Sequence, residues 1–358
     1  MKARDRSVKH FSLHRIAGTE LRVVSDVESG VIPFIQIEEE VIGKYARSPR
    51  WRQEVVTLFI LRDLEPLTRQ LSRAADLPPG GLNGLRYRPV VNLYDLKNPV
   101  SCHVFINQGA MEKEGYWSDQ DAIVALLAHE HAHPLAENET TRTSRQLRFS
   151  ICDCRLPIAP SQTCTERSER IENRKSKIEN LLTLLADKLC LYAPRELFAN
   201  EMTIRSGFGN ALLHLDRRTL ANASRSVAGR EGLRQQLHQE VARGNLTPQG
   251  ADLLLLIGDL KGYLDLALEV APFYRTGRQD DAQELEAVLE AEVFPHLEPQ
   301  VNRAYTALRE QYIALDADLT PPELIAWGEG VLNILAEALE EKGLILRCRL
   351  QMADQRET

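Results

Sequence analysis

The chain lacks a long charge-free apolar run, a positive charge balance and a dense set of cysteines, and each absence removes a class of function. Its most apolar segment, ADLLLLIGDLKGYLDLALEVA (251–271), is interrupted by Asp252, Asp259, Lys261, Asp265 and Glu269, so no membrane span is expected. The basic start MKARDRSVKHFSLHRI has no apolar core of the kind a signal peptide needs, which leads to the expectation of a cytoplasmic protein. A formal net charge of -7 argues against nucleic acid as a partner. Six cysteines in 358 residues are too few for a disulfide scaffold and are expected to be mostly reduced thiols.

What is present is ordinary globular composition, 43% hydrophobic and 27% charged, in a chain long enough for more than one domain. Within it, AHEHAH at 128–133 places His129, Glu130 and His133 in the order H-E-x-x-H. On a helix, residues four apart share a face, so two imidazoles can hold one metal ion while the intervening glutamate serves as a base. The spacing of Ser118 and Asp121 predicts a capping box, the run Ala122–Ala128 predicts a buried helix, and Pro134 predicts its end at or just past His133. His131, about 200° round from His129, points away from any metal and is expected to pack or to face solvent.

A catalytic zinc takes three protein ligands, so a third is expected downstream. In PRELFANEMTIRSGFGNALLHLD (194–216), Pro194 suits a helix start and Gly207 a helix stop. Glu196, Asn200 and Thr203 share one face, and Asn200 could orient a ligating histidine. Glu201 is the rival ligand, about 140° round from Glu196, and helical geometry does not choose between them. His214, Arg205, Arg217 and Arg218 are candidates for stabilising a tetrahedral oxyanion.

The segments VFINQGAMEKEGYWSDQDAIVALLAHEHAH (104–133), ELFAN (196–200) and SGFGNALLHL (206–215) together resemble the gluzincin metallopeptidases of the HtpX-like type, over roughly residues 90–215. The resemblance implies an α+β fold, with a zincin-like metallopeptidase core and a mostly helical C-terminal region. It implies one zinc ion (Zn2+) held by His129, His133 and Glu196, with Glu130 as general base and Asn200 where the family commonly has Asp. It also implies an edge strand at Val104, Phe105, Ile106 and Asn107, to which a peptide or protein substrate could add by main-chain hydrogen bonds; an inner strand is the alternative. The chain departs from the family in Asn200, in Pro134 and in the missing membrane spans. A catalytically weak gluzincin fold of the ImmA/IrrE type, binding a protein partner through its C-terminal helices, is the competing expectation.

Three regions are expected: a mixed α/β part (1–76), the catalytic domain (77–216) and a helical domain (217–358). In the first, ELRVV and TLFIL read as strands and 34–46 and 51–74 as helical, and Leu77-Pro78-Pro79-Gly80-Gly81 marks the junction. The catalytic domain carries a polar insertion loop at 157–176, expected to be mobile, with helix resuming near Lys177. In the third, Thr247-Pro248 and Thr320-Pro321 predict helix starts and Gly277 and Gly343 stops. Cys152, Cys154 and Cys164 lack a convincing fourth partner for a second zinc, and His10 and His14 are expected at the surface.

Overall fold

A computed structural model describes residues 8–74, 85–155 and 178–353. The junction at 77–81 and the insertion at 157–176, with Cys164, lie outside the described residues. In chain order the elements are β1 (His10–Ile16), β2 (Thr19–Ser25), α1 (Val31–Tyr45), β3 (Val55–Leu61), α2 (Glu65–Ala74), β4 (Val90–Tyr94), β5 (Ser101–Asn107), α3 (Gln108–Lys113), α4 (Gln120–Leu135), α5 (Glu139–Ser144) and β6 (Leu147–Arg155). There follow α6 (178–186), α7 (Ala193–Thr203), α8 (Gly209–Ala242), α9 (Pro248–Tyr263), α10 (Ala267–Arg275), α11 (Gln279–Glu292), α12 (Pro299–Ile313), α13 (Pro321–Glu340) and β7 (Ile345–Met352). The fold is mixed α+β, and no helix among the described residues is long and apolar enough to cross a membrane.

Two compact units divide the chain, one of Met1–Ala136 with Met202–Leu215, the other of Glu137–Glu201 with Asp216–Thr358. The first is built on a five-stranded sheet of order β1-β2-β3-β5-β4. A two-residue turn at Ala17 and Gly18, both with positive φ (48° and 94°), closes the β1–β2 hairpin with the twist that paired strands favour. β2, β3 and β5 run parallel, and β1 and β4 are antiparallel neighbours at the two ends. Alternation in β2 and β3 turns Leu21, Val23, Val56, Leu58 and Ile60 inward. Phe34, Val41 and Ile42 of α1 and Ala125, Leu127 and Ala128 of α4 are buried with them. Each large aliphatic side chain so enclosed contributes about 1.5–3 kcal/mol.

Two expectations are corrected here. The boundary at 76/77 is not a domain boundary, because β1–β3 share one hydrogen-bonded sheet with β4 and β5, as in the register Leu58↔Val104. Val104, Phe105, Ile106 and Asn107 do not form an edge: β5 pairs with β3 on one side and β4 on the other, so its main chain has no side left for a peptide. The sheet's end beside α4 is β4. In addition, TLFIL is strand β3, and the helix expected over 51–74 is confined to 65–74.

In the second unit the helix signals hold. Thr247 Oγ1 accepts from the Gly250 N–H, Thr320 and Glu323 form a capping box, and Gly277 and Gly343 follow helices with φ of 78° and 80°. The region 217–358 is not helical throughout, because it ends in β7, which pairs antiparallel with β6. Leu346, Cys348 and Leu350 alternate with exposed Arg347, Arg349 and Gln351, a period of two that marks a half-buried strand.

Candidate metal centre

α4 begins one residue later than the sequence signal, with Asp119 rather than Ser118 as N-cap: its Oδ1 accepts from the Ala122 N–H at 3.1 Å. The helix runs through Pro134 and ends at Leu135, just past His133 as expected. The imidazoles of His129 and His133 stack one turn apart, with centroids 4.6 Å apart and planes at 81°. The helix start expected at Pro194 is not one: a π-type turn, Asp187–Tyr192, carries α6 into α7 without a break, and Pro194 and Glu196 lie just past that turn inside a continuous helical stretch. Ligand atoms of His129, His133 and Glu196 all lie within 4.8 Å of one another, and all three residues are part-buried. Two imidazole nitrogens and a carboxylate oxygen this close could hold a metal ion, and this donor set is the one His2Glu sites use.

The rival glutamate is occupied elsewhere. Glu201 Oε2 accepts from Arg275 Nε at 2.9 Å in a pair about six-sevenths buried, and Arg275 Nη1 also donates to the carbonyls of Ile313 and Leu315. Through Arg275, Glu201 is tied to the end of α12, and Glu196 is the glutamate in the group that could hold a metal. Asn200 is buried, and its Nδ2 donates to the Leu268 carbonyl at 3.4 Å. The helix stop expected at Gly207 is a kink: φ of 88° at Gly207 breaks the helix within a π-type turn, Ile204–Phe208, before α8 continues.

Glu130 is held by a residue the sequence did not flag. The main-chain N–H of Asn92, in β4, donates to Glu130 Oε2 at 3.1 Å, and Asn92 Nδ2 donates to the Glu130 carbonyl at 3.0 Å. A lone asparagine inside the apolar strand VVNLY was the available signal.

His131 has no part in the metal group. It is fully buried, with Nε2 2.7 Å from Glu38 Oε1 and Nδ1 3.0 Å from Gln53 Oε1, and the Cys102 thiol donates to that same amide oxygen at 3.3 Å. Burial alone would lower its pKa, but the Glu38 carboxylate, aided by hydrogen bonds, outweighs this and pushes it up to about 10. The expected surface alternative for His131 is excluded.

Of the oxyanion candidates, His214 Nε2 lies 2.9 Å from Asp119 Oδ2, at the opposite end of α4 from His129, roughly 15 Å away along a helix rising 1.5 Å per residue. Arg217 is bidentate to Glu284. Cys152 occupies a bulge of β6 opposite Cys348, which sits among Cys152 and Cys154; burial first, then those thiols, pushes Cys348 up to about 12. Among the described residues, no cysteine belongs to a group positioned for a metal. His10 and His14 sit on β1, both beside the Ser12 hydroxyl.

No protein-family model, curated protein or solved structure matches this chain.

Proposed function

We propose that the chain is a zinc-dependent peptidase. The observation that carries this reading is the meeting of His129, His133 and Glu196 beside a glutamate, Glu130, on the same helix as the two histidines. A zinc ion held by the three side chains would polarise a scissile carbonyl and make water acidic near neutral pH. Glu130 takes the proton of the attacking water and delivers it to the leaving amine, so no covalent intermediate is needed. In β4 the Asn92↔Val104 pair is the non-hydrogen-bonded kind, since the Asn92 N–H points to Glu130. Val90 and Tyr94 turn main-chain groups to the same outer side of the sheet, where an extended peptide could add as a further strand on either side of Asn92, whose N–H is taken by Glu130.

Metal content and hydrolysis of an unfolded casein-like substrate, measured together on wild type, His129→Ala and Glu130→Gln, test the reading. One zinc per chain and cleavage are expected for wild type, zinc without cleavage for Glu130→Gln, and loss of zinc for His129→Ala. Stoichiometric zinc in His129→Ala would refute the site. Zinc-loaded wild type that cleaves no better than Glu130→Gln would favour a binding module over an enzyme.

A further inference from the structure

We propose that Asn92 is the positioning residue of Glu130, and that its side chain replaces the backbone donor that Pro134 removes. The inference rests on the peptidase reading for its catalytic meaning, while the pairing itself stands on hydrogen-bond geometry alone.

In a continuous α-helix the carbonyl of residue 130 accepts from the N–H of residue 134. Pro134 has no N–H, and its ring presses against that same carbonyl. The helix does not end there, since the Ala136 N–H still reaches the Ala132 carbonyl at 2.8 Å. The single bond that Pro134 deletes is the one to Glu130. A helical carbonyl that has lost its i+4 donor is satisfied by accepting from another group. Asn92 Nδ2 supplies it at 3.0 Å.

The same residue's main-chain N–H holds the Glu130 carboxylate at 3.1 Å, so one strand residue binds both the backbone and the side chain of the proposed base. Asn92 is itself buried in β4, whose register with β5 fixes its height against α4. Base and strand thus move together. A peptide added to β4 would be placed relative to Glu130 by the residue that holds it, which is the orientation a base needs to reach the attacking water. With an ordinary residue at 134, Glu130 O would be satisfied within the helix and this tie would be unnecessary.

The test is a cycle of Asn92→Ala, Pro134→Ala and the double variant in the full chain, read by urea unfolding and by kcat, KM and zinc content. Asn92→Ala keeps its backbone N–H, so the cycle isolates the side chain. In the wild-type background it should lower the unfolding midpoint and cut kcat about 10- to 100-fold, with KM and zinc little changed. In the Pro134→Ala background the restored N–H satisfies Glu130 O, and most of both losses should disappear. Asn92→Leu, which cannot donate and adds no charge, should behave as Asn92→Ala does and be rescued in the same way. Equal losses in the two backgrounds, failure of both to fold included, overturn the proposal. If the wild type proves inactive, the peptidase reading fails, and coupling in the unfolding cycle still decides whether Asn92 stands in for the missing donor.

Discussion

Helix α4 carries histidines on two faces, and the faces have opposite fates. His129 and His133 are part-buried and converge with Glu196, whereas His131 between them is sealed in with Glu38, Gln53 and Cys102. The residue type is the same and the helix is the same. What differs is the neighbouring groups: on one face imidazole nitrogens lie close to the Glu196 carboxylate in a group that could hold a metal, and on the other each nitrogen is already matched to an oxygen. A histidine's role is therefore set by the groups opposite it, and the two faces should respond to mutation in different observables.

The largest effect should fall on chemistry. Glu130→Gln is expected to lower peptide hydrolysis by about 10²- to 10⁴-fold while leaving zinc content and the unfolding midpoint close to wild type. A parallel loss of stability would mean that Glu130 belongs structurally with the sealed face. That face is tested by Glu38→Ala, which leaves the His131 imidazolium buried without its carboxylate. Urea unfolding should show a loss of about 3–5 kcal/mol, with zinc still stoichiometric in the folded fraction. An unchanged midpoint would show that His131 is neutral and that the ion pair is absent.

Smaller is the contrast between the two glutamates of α7. Glu196→Ala should lose the metal, and Glu201→Ala should keep it and cost about 1–3 kcal/mol, because the largely buried Arg275 loses its carboxylate but retains carbonyl acceptors at the end of α12. Metal loss from Glu201→Ala instead would move the ligand assignment along the helix. The remaining contrast is read as a pH slope at Asp216. Burial first, then Glu269, raises its pKa well above the ordinary value. The unfolded chain ionises this group at lower pH than the folded one, so the folded state binds more protons and loses stability as pH rises from about 4 toward the folded pKa. Asp216→Asn should flatten that slope and raise stability at neutral pH, as measured by urea midpoints across the range; an unaltered slope would place the titration elsewhere.

Much of the metal centre was legible because its signals are local. The spacing of His129 and His133, the helical run before them, the threonine caps and the glycine stops after α10 and α13 all act within a turn or two of chain, where periodicity and capping chemistry are decisive. The cap at Asp119 was missed by one residue, since neighbouring polar residues compete for the cap.

By itself, then, the sequence determined the two histidines one turn apart on a helix, the glutamate between them, the absence of a helical membrane span among the described residues and most helix boundaries. Tertiary structure decided the rest: Glu196 over Glu201, through the pairing of Glu201 with an arginine 74 residues away; β4 rather than β5 at the end of the sheet; the closing of β7 onto β6; and the enclosure of His131 by Glu38, 93 residues distant. The physical reason is common to all of these. Each depends on which polar group finds its partner when distant segments are brought together, and an unpaired buried group costs more than any local propensity can supply.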